Sequence, residues 1–456
     1  MTRSRIRSIA APLVAAALAV GMSGCGSSAT PPGASPVPST APSATERPAA
    51  TATPGAIPNS AILLVARPGA DAWTIVEAAS GGGYLGPDFR VPVGAPRPGW
   101  SRIVSASVKG DRTSVRDAIN QPDFPGPSLE LDGRWRLPTV GDEALPVGVS
   151  PDGSTIVLVE DAPAAGAPTT RFAVVEHTFD GKPSTVGDAD LRLVRIVELR
   201  GRFAFDTLSS DGRVLYVVEH LDANQGGHYQ VRAVDLPSGV LRDAVIVDKA
   251  NPAERMSGYP IAHLRRSDGV VMTLYDGPEH PFIHALQSNE GWALCIDLPA
   301  TKGAERSAWG LATSPDGRTV YAANGAAGFV VEVDPDEYAV SRIGALSATA
   351  TITLAKFGHS DVGPVGENLV ALPGGDGLLV ATADGVAIVD RRSLGERGRI
   401  ATGAAVDAIG VTPDGSLAFA HTRDGRLVAF EPRVDGRTFG DVANGPYSGL
   451  IAVAPG

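Results

Sequence analysis

From Ala61 onward the chain alternates short apolar runs with clusters of Gly, Pro, Asp and Ser. Ala61-Ile62-Leu63-Leu64-Val65-Ala66, Thr155-Ile156-Val157-Leu158-Val159, Val214-Leu215-Tyr216-Val217-Val218 and Thr319-Val320-Tyr321-Ala322-Ala323 are typical. Runs of that length, rich in β-branched residues and bounded by turn residues, predict strands. Several share one approach: Ser150-Pro151-Asp152-Gly153, Ser209-Ser210-Asp211-Gly212, Ser314-Pro315-Asp316-Gly317 and Thr412-Pro413-Asp414-Gly415 each lead directly into a strand. Pro presets the first central turn position, Asp accepts backbone donors, and Gly supplies the positive φ of a tight hairpin.

Weaker copies centre on Asp268-Gly269 and Asp376-Gly377, with a degenerate one at Gly110-Asp111. Successive landmark aspartates lie 38 to 60 residues apart, a spacing scattered around the length of a four-stranded propeller blade. One such sheet cannot bury both faces, so the copies must stack into a common core. The two ends of the repeat region fit together. The chain closes on Gly449-Leu450-Ile451-Ala452-Val453, which reads as a first strand, whereas Ala61–Ala66 and Trp73-Thr74-Ile75-Val76-Glu77 read as a second and a third. Joining them would close a ring and remove an exposed sheet edge.

Ser314-Pro315-Asp316-Gly317-Arg318-Thr319-Val320-Tyr321-Ala322-Ala323-Asn324, followed by Phe329-Val330-Val331-Glu332-Val333-Asp334, resembles the YVTN-type repeat of bacterial β-propellers, relatives of WD-repeat propellers. The resemblance implies an all-β propeller of seven four-stranded blades, with eight as the alternative, closed by the C-terminal strand. It spans most of residues 61–456 and implies fold alone, because such propellers serve surface-layer, binding and lactone-cleaving proteins alike. Phe282–Leu286 through Cys295–Pro299 is similar to a segment of bacterial propeller lipoproteins, and that similarity implies no activity.

The first sixty residues follow a different rule. Arg3, Arg5 and Arg7 precede an apolar stretch from Ile9 to Met22, the layout of a signal peptide over residues 1–24. Met22-Ser23-Gly24-Cys25 resembles the bacterial lipobox, with Met22 in place of the usual Leu. That resemblance implies diacylglycerol on the Cys25 sulfur and a protein held at the cell membrane, facing outside the cytoplasm. Residues 25–60 are mostly Ser, Pro, Ala, Thr and Gly, a composition that cannot bury enough surface to fold and suits a disordered tether. The propeller would then occupy residues 61–456.

Composition narrows the partners. The net charge of −11 repels phosphate backbones and argues against nucleic acid, although twelve Asp-Gly turn pairs account for much of the acidity. With Cys25 lipidated, Cys295 has no partner for an intramolecular disulfide. Its apolar run, Trp292-Ala293-Leu294-Cys295-Ile296, suits a buried inert thiol.

The densest polar cluster runs from Tyr275 to His284 and contains His280 and His284. In an extended chain, four residues span roughly 13 Å, too far for both to ligate one ion. A loop shaping one end of the channel is the expected role. His359 and Asp361 fall in a long connection, Lys356 to Asn368, that breaks the repeat rhythm, and long loops on rigid scaffolds are where binding usually resides. His220, Asp222 and His228 read as a polar hairpin loop. No nucleophile elbow, zinc-protease helix, phosphate loop, calcium loop or paired-cysteine motif occurs. The expectation is therefore a membrane-tethered binding module for a protein, peptide or glycan, without metal or cofactor. His280, His284, His359 and Asp361 are its candidate ligand contacts, and no residue is assigned a catalytic role. The alternative is a hydrolase or lyase for a small sugar-like substrate at one end of the channel, where dispersed residues would leave no local motif.

Overall fold

The short apolar runs become strands, and the tight turns fold successive strands onto one another. The computed structural model describes residues 61–78, 90–96, 102–119, 127–140, 145–161, 169–178, 190–222, 227–252, 255–300, 308–347, 368–442 and 445–455. The lipobox with Cys25, the tether, His359 and Asp361 lie outside the described residues.

Blade 1 takes β1 (Ala61–Ala66), β2 (Ala72–Ala78) and β3 (Arg90–Pro92). Blade 2 is β4 (Gly94–Pro96), β5 (Arg102–Lys109), β6 (Arg112–Ile119) and β7 (Ser128–Asp132). Blade 3 is β8 (Trp135–Arg136), β9 (Thr155–Glu160), β10 (Thr169–Thr178) and β11 (Asp190–Arg200). Blade 4 is β12 (Arg202–Leu208), β13 (Val214–His220), β14 (His228–Asp235) and β15 (Val240–Ile246), with β16 (Met256–Ser257) paired to β14. Blade 5 is β17 (Tyr259–Arg265), β18 (Val270–Asp276), β19 (Phe282–Gln287) and β20 (Trp292–Asp297). Blade 6 is β21 (Trp309–Thr313), β22 (Val320–Asn324), β23 (Phe329–Asp334) and β24 (Ala339–Ala345). Blade 7 is β25 (Leu369–Ala371), β26 (Gly377–Ala381), β27 (Gly385–Asp390) and β28 (Glu396–Ala401). Blade 8 is β29 (Val406–Val411), β30 (Ala418–Thr422), β31 (Leu427–Phe430) and β32 (Thr438–Asp441).

The last strand, β33 (Gly449–Pro455), returns to blade 1 and pairs antiparallel with β1, Leu63 opposite Val453. The blade count is eight, the alternative to seven, and the ring closes through the C-terminal strand as its sequence suggests. Closure makes β33 the first strand of blade 1. The first strands of successive blades lie against one another, β17 on β21, β21 on β25, β25 on β29 and β29 on β33, so they are the innermost strands of the ring.

Alternation across each strand builds the core. In blade 6, Val320, Ala322, Val331 and Val333 pack against blade 5, whereas Tyr321, Ala323 and Val330 pack against blade 7. Central strands are thus buried on both faces, which is why they read as nearly continuous apolar runs. Each seam has its own cluster, for instance Phe203, Leu215 and Val234 between blades 3 and 4, and Leu63, Phe419 and Leu450 between blades 8 and 1.

The repeated turn joins the innermost strand to the second. The Ser or Thr hydroxyl donates to the Asp carboxylate two residues on, at 2.6 Å in Ser150–Asp152, 2.7 Å in Ser209–Asp211 and 2.6 Å in Thr412–Asp414. The same oxygen accepts the N–H of the residue five positions on, as Thr319 donates to Ser314 at 3.0 Å. Gly317 closes that turn with φ +69. These bonds hold the carboxyls of Asp211 and Asp316 below their ordinary pKa and bring Asp414 to about 2. The Gly110-Asp111 copy behaves differently. It joins β5 to β6, one hairpin later in its blade, because a two-residue Asp-Gly-like turn suits either junction.

Candidate functional site

Four innermost strands carry the same irregularity, one residue skipped in the ladder with the second strand. The skipped residues are Asp206 in β12, Ile261 in β17, Asp407 in β29 and Ile451 in β33. A bulge re-aims the side chain it displaces, and two of the four are carboxylates. Asp407 is satisfied: His421 on β30 meets its Oδ1 through Nδ1 at 2.6 Å, with Nε2 3.2 Å from the Tyr447 carbonyl. Burial opposes the His421 imidazolium, but the Asp407 bond and charge outweigh it and raise the pKa. Asp206 holds the matching place in blade 4, but there the second strand offers Tyr216 rather than a histidine. Asp206 is 1% exposed and its Oδ2 has no hydrogen-bond partner. Burial raises its pKa to about 7, against the pull of Arg265.

Arg265 comes from the innermost strand of the next blade. Along β17, Ala262 and Leu264 pack toward blade 6, so the alternate residues His263 and Arg265 face blade 4. Arg265 Nη2 donates to Thr207 Oγ1 at 2.6 Å and to the Leu208 carbonyl, and Nη1 donates to Ser288 Oγ at 3.2 Å. The guanidinium thus staples β12 to β17 through neutral acceptors. Among the described residues no carboxylate lies within ion-pair distance of it, and burial lowers its pKa while Asp206 pulls it back up. His263 meets Thr273 Oγ1 through Nδ1 at 3.2 Å. Burial, then Arg265, lowers its pKa to about 4, so the ring is neutral at physiological pH.

Farther from the axis the same seam holds an aromatic stack, Tyr229 on Tyr275 at 5.0 Å and Tyr275 on Phe282 at 5.3 Å. Tyr275 also meets the edge of His284 at 6.4 Å. The charge of Asp206 reaches Tyr216, Tyr229 and Tyr275, and burial raises the pKa of all three.

Of the histidines singled out in the sequence, His284 belongs to this seam. It lies on β19 opposite Cys295 of β20, fully buried, with neither ring nitrogen hydrogen-bonded. Burial lowers its pKa to about 4, against the charge of Asp248. His280 sits apart on the turn before β19, half-buried, with Nδ1 3.3 Å from its neighbour's carbonyl and 3.8 Å from Asp297. His228 and Asp222 pair at 2.9 Å across an exposed hairpin loop. Among the described residues no three His, Cys, Asp or Glu side chains come together as metal ligands.

Blades 2 and 3 share a further buried group, with Asp117 between Arg102 and His177, each at 3.0 Å. His177 also meets the Gly153 carbonyl at 3.1 Å, so this group is internally satisfied. The seam between blades 4 and 5 gathers several buried polar atoms without a hydrogen-bond partner, Asp206 Oδ2, Tyr229 Oη and both His284 nitrogens, where other seams hold single ones such as Trp73 Nε1 and Trp309 Nε1. Its key members were not visible in the chain pattern. Asp206 interrupts the apolar run Phe203-Ala204-Phe205-Asp206-Thr207-Leu208, and His263 and Arg265 alternate with Ala262 and Leu264. A polar residue on a strand that otherwise reads as core was the available signal.

The comparisons with known proteins bear on the fold alone. No family model and no curated protein matches the chain. Among solved structures, apo AztD from Citrobacter koseri superposes with a TM-score of 0.52 at 13% identity, covering 87% of this chain and 98% of that one. Sqt1 of Saccharomyces cerevisiae matches with a TM-score of 0.46 at 11% identity, over 78% and 85% of the two chains. The periplasmic gluconolactonase PpgL of Pseudomonas aeruginosa matches at 0.40 and 18%, over 86% and 98%. At these identities the likeness to AztD is one of fold.

Proposed function

We propose that this protein is a lipid-anchored propeller that works outside the cytoplasm as a binding module, reading its ligand from the channel side of blades 4 and 5. The anchor reading rests on the lipobox at Met22–Cys25 and the tether composition. The binding reading rests on one observation: two innermost strands bring together an arginine without an ion pair and a buried carboxyl with an open oxygen, Arg265 and Asp206. A rigid ring would cost stability by holding such groups unless something completes them.

The test uses the detergent-solubilised full chain as bait on membranes and on arrayed glycans and peptides. The expected result is a reproducible partner retained by Arg112→Met, an exposed rim change, and lost in Arg265→Met. No partner, or one indifferent to Arg265, overturns the reading. Replacing Cys25 by Ser should move the protein from the membrane to the soluble fraction.

A second reading, hydrolysis of a small sugar-like substrate, is favoured by the Asp206 pKa of about 7 and by a neutral His263 two residues from Arg265 on the adjoining blade, group types suited to general acid–base work. Lactone turnover abolished by Asp206→Asn and by His263→Ala would put that reading in place of the first.

A further inference from the structure

Resting on the channel reading, we infer that the ligand group recognised at Arg265 is a small oxyanion, a carboxylate or a phosphate, seated between Arg265 and Asp206.

Three arginines elsewhere that are mostly shielded from solvent meet carboxylates: Arg102 meets Asp117 at 3.0 Å, Arg232 meets Glu219 at 3.0 Å, and Arg399 meets Glu396 at 2.9 Å. Arg265 instead spends three of its donor bonds on two hydroxyls and a carbonyl, which satisfy N–H groups without balancing charge. A guanidinium stays protonated, so a buried one needs a counter-charge. Asp206 is the nearest source, yet it stops short of contact and burial favours its neutral form. Two of the five guanidinium N–H groups remain for a ligand, and a neutral Asp206 contributes an O–H. Guanidinium N–H donors beside a carboxyl in its neutral form favour an oxyanion over a cation. A neutral sugar would leave the guanidinium uncompensated.

The arrangement also couples binding to a proton. The charge of Asp206 couples to Tyr216 of β13, Tyr229 of β14, Arg265 of β17 and Tyr275 of β18, and Arg265 in turn couples to His263 of its own strand. Burial holds the tyrosines above and His263 below the range between pH 6 and 8. Asp206 is the group among these that titrates there, near 7. Its neutral fraction falls about tenfold from pH 6 to pH 8, and affinity for an anion should fall with it.

Isothermal titration calorimetry of the detergent-solubilised full chain tests this with sodium glycolate and sodium phosphate as separate probes. Glycolate does not itself titrate between pH 6 and 8, so it carries the pH comparison. The expected result is binding of at least one probe, lost in Arg265→Met. For glycolate, the affinity should be about tenfold tighter at pH 6 than at pH 8, with close to one proton taken up at pH 8. Asp206→Asn should flatten that dependence, which keeps the inference testable if Arg265→Met does not fold. Preference for glycolate assigns a carboxylate; preference for phosphate assigns a phosphate group. Binding unaffected by Arg265→Met, or a pH dependence unchanged in Asp206→Asn, overturns the inference. If neither probe binds while ligand capture still depends on Arg265, the oxyanion assignment fails alone. If capture ignores Arg265 as well, the channel reading fails with it.

Discussion

Replacing Gly410 by Ala puts the ring closure under direct test. Gly410 lies on β29, and a Cβ there would sit 2.4 Å from Val453 Cγ2 and 3.2 Å from Leu450 Cδ2, both on β33. The closing strand therefore rests on bare backbone of blade 8. Adding a methyl overpacks this contact at about 1–3 kcal/mol, partly offset by about 0.4–1 kcal/mol from the stiffer unfolded chain, for a net loss of about 1–2 kcal/mol. Val453→Ala alone removes two carbons from a partly buried side chain and should cost about 1–1.5 kcal/mol. In the double variant the new methyl occupies the space Val453 vacates. The combined loss should then be smaller than the sum by about 1 kcal/mol, a coupling that independent sites do not show. Urea unfolding followed by tryptophan fluorescence, with m-values compared, measures all four proteins. Additive losses, or a Gly410→Ala protein as stable as the parent, would refute the packing of β33 on β29.

The seam between blades 4 and 5 makes two further predictions. Asp206 binds a proton in the folded state up to about pH 7, against 3.8 in the unfolded chain, so stability should fall as pH rises from about 4 to 7 and level off above. The contribution is about 4 kcal/mol at its limit, and Asp206→Asn should remove that slope in urea unfolding at pH 5, 7 and 8; an unchanged slope would place the titration elsewhere. His284, whose folded pKa of about 4 lies below 6.5, costs stability as pH falls from 6.5 toward 4. With no hydrogen bond to lose, His284→Leu should be within about 1 kcal/mol of the parent at pH 8 and more stable than it at pH 5; a loss beyond about 3 kcal/mol at pH 8 would mean that the ring has a partner.

The ring was legible because its determinants are local. Ser-Pro-Asp-Gly turns announce where the innermost strand meets the second, and a truncated first strand at Gly449–Val453 beside a region that opens on a second strand at Ala61 points to closure. The blade count was harder. Blade 3 splits its first strand, with β8 only two residues long and Val149 bridging to Ile156 after a detour, and blade 2 has its Gly-Asp turn at a different hairpin. The seam was less legible still. His284 attracted notice for its spacing from His280, yet the two have separate settings, one closed within the seam and one at a turn. Asp206, His263 and Arg265 are 57 or 59 positions apart between blades and unremarkable within their own strands. Only ring geometry brings the innermost strands of blades 4 and 5 side by side, and only the bulge turns Asp206 toward its neighbour.

Aromatic packing explains how one seam can hold incompletely partnered groups without coming apart. Tyr216, Tyr229, Tyr275, Phe282 and Leu286 form an apolar cluster on its outer side, so the seam keeps a core comparable to those of its neighbours. The polar groups are confined to the inner end, where Arg265 still joins β12 to β17 through two hydrogen bonds. Behind them the buried stack excludes water, which lowers the local dielectric and strengthens interactions made at the inner end. The accessible side chains there, His263 and Arg265, belong to β17. A ligand reaching the inner end of this seam would meet the Arg265 cation, positioned by a strand and not by a mobile loop. Buried polar groups of this kind are often no more stabilising than well-packed apolar ones, and that is the premise on which the binding role proposed for this seam rests.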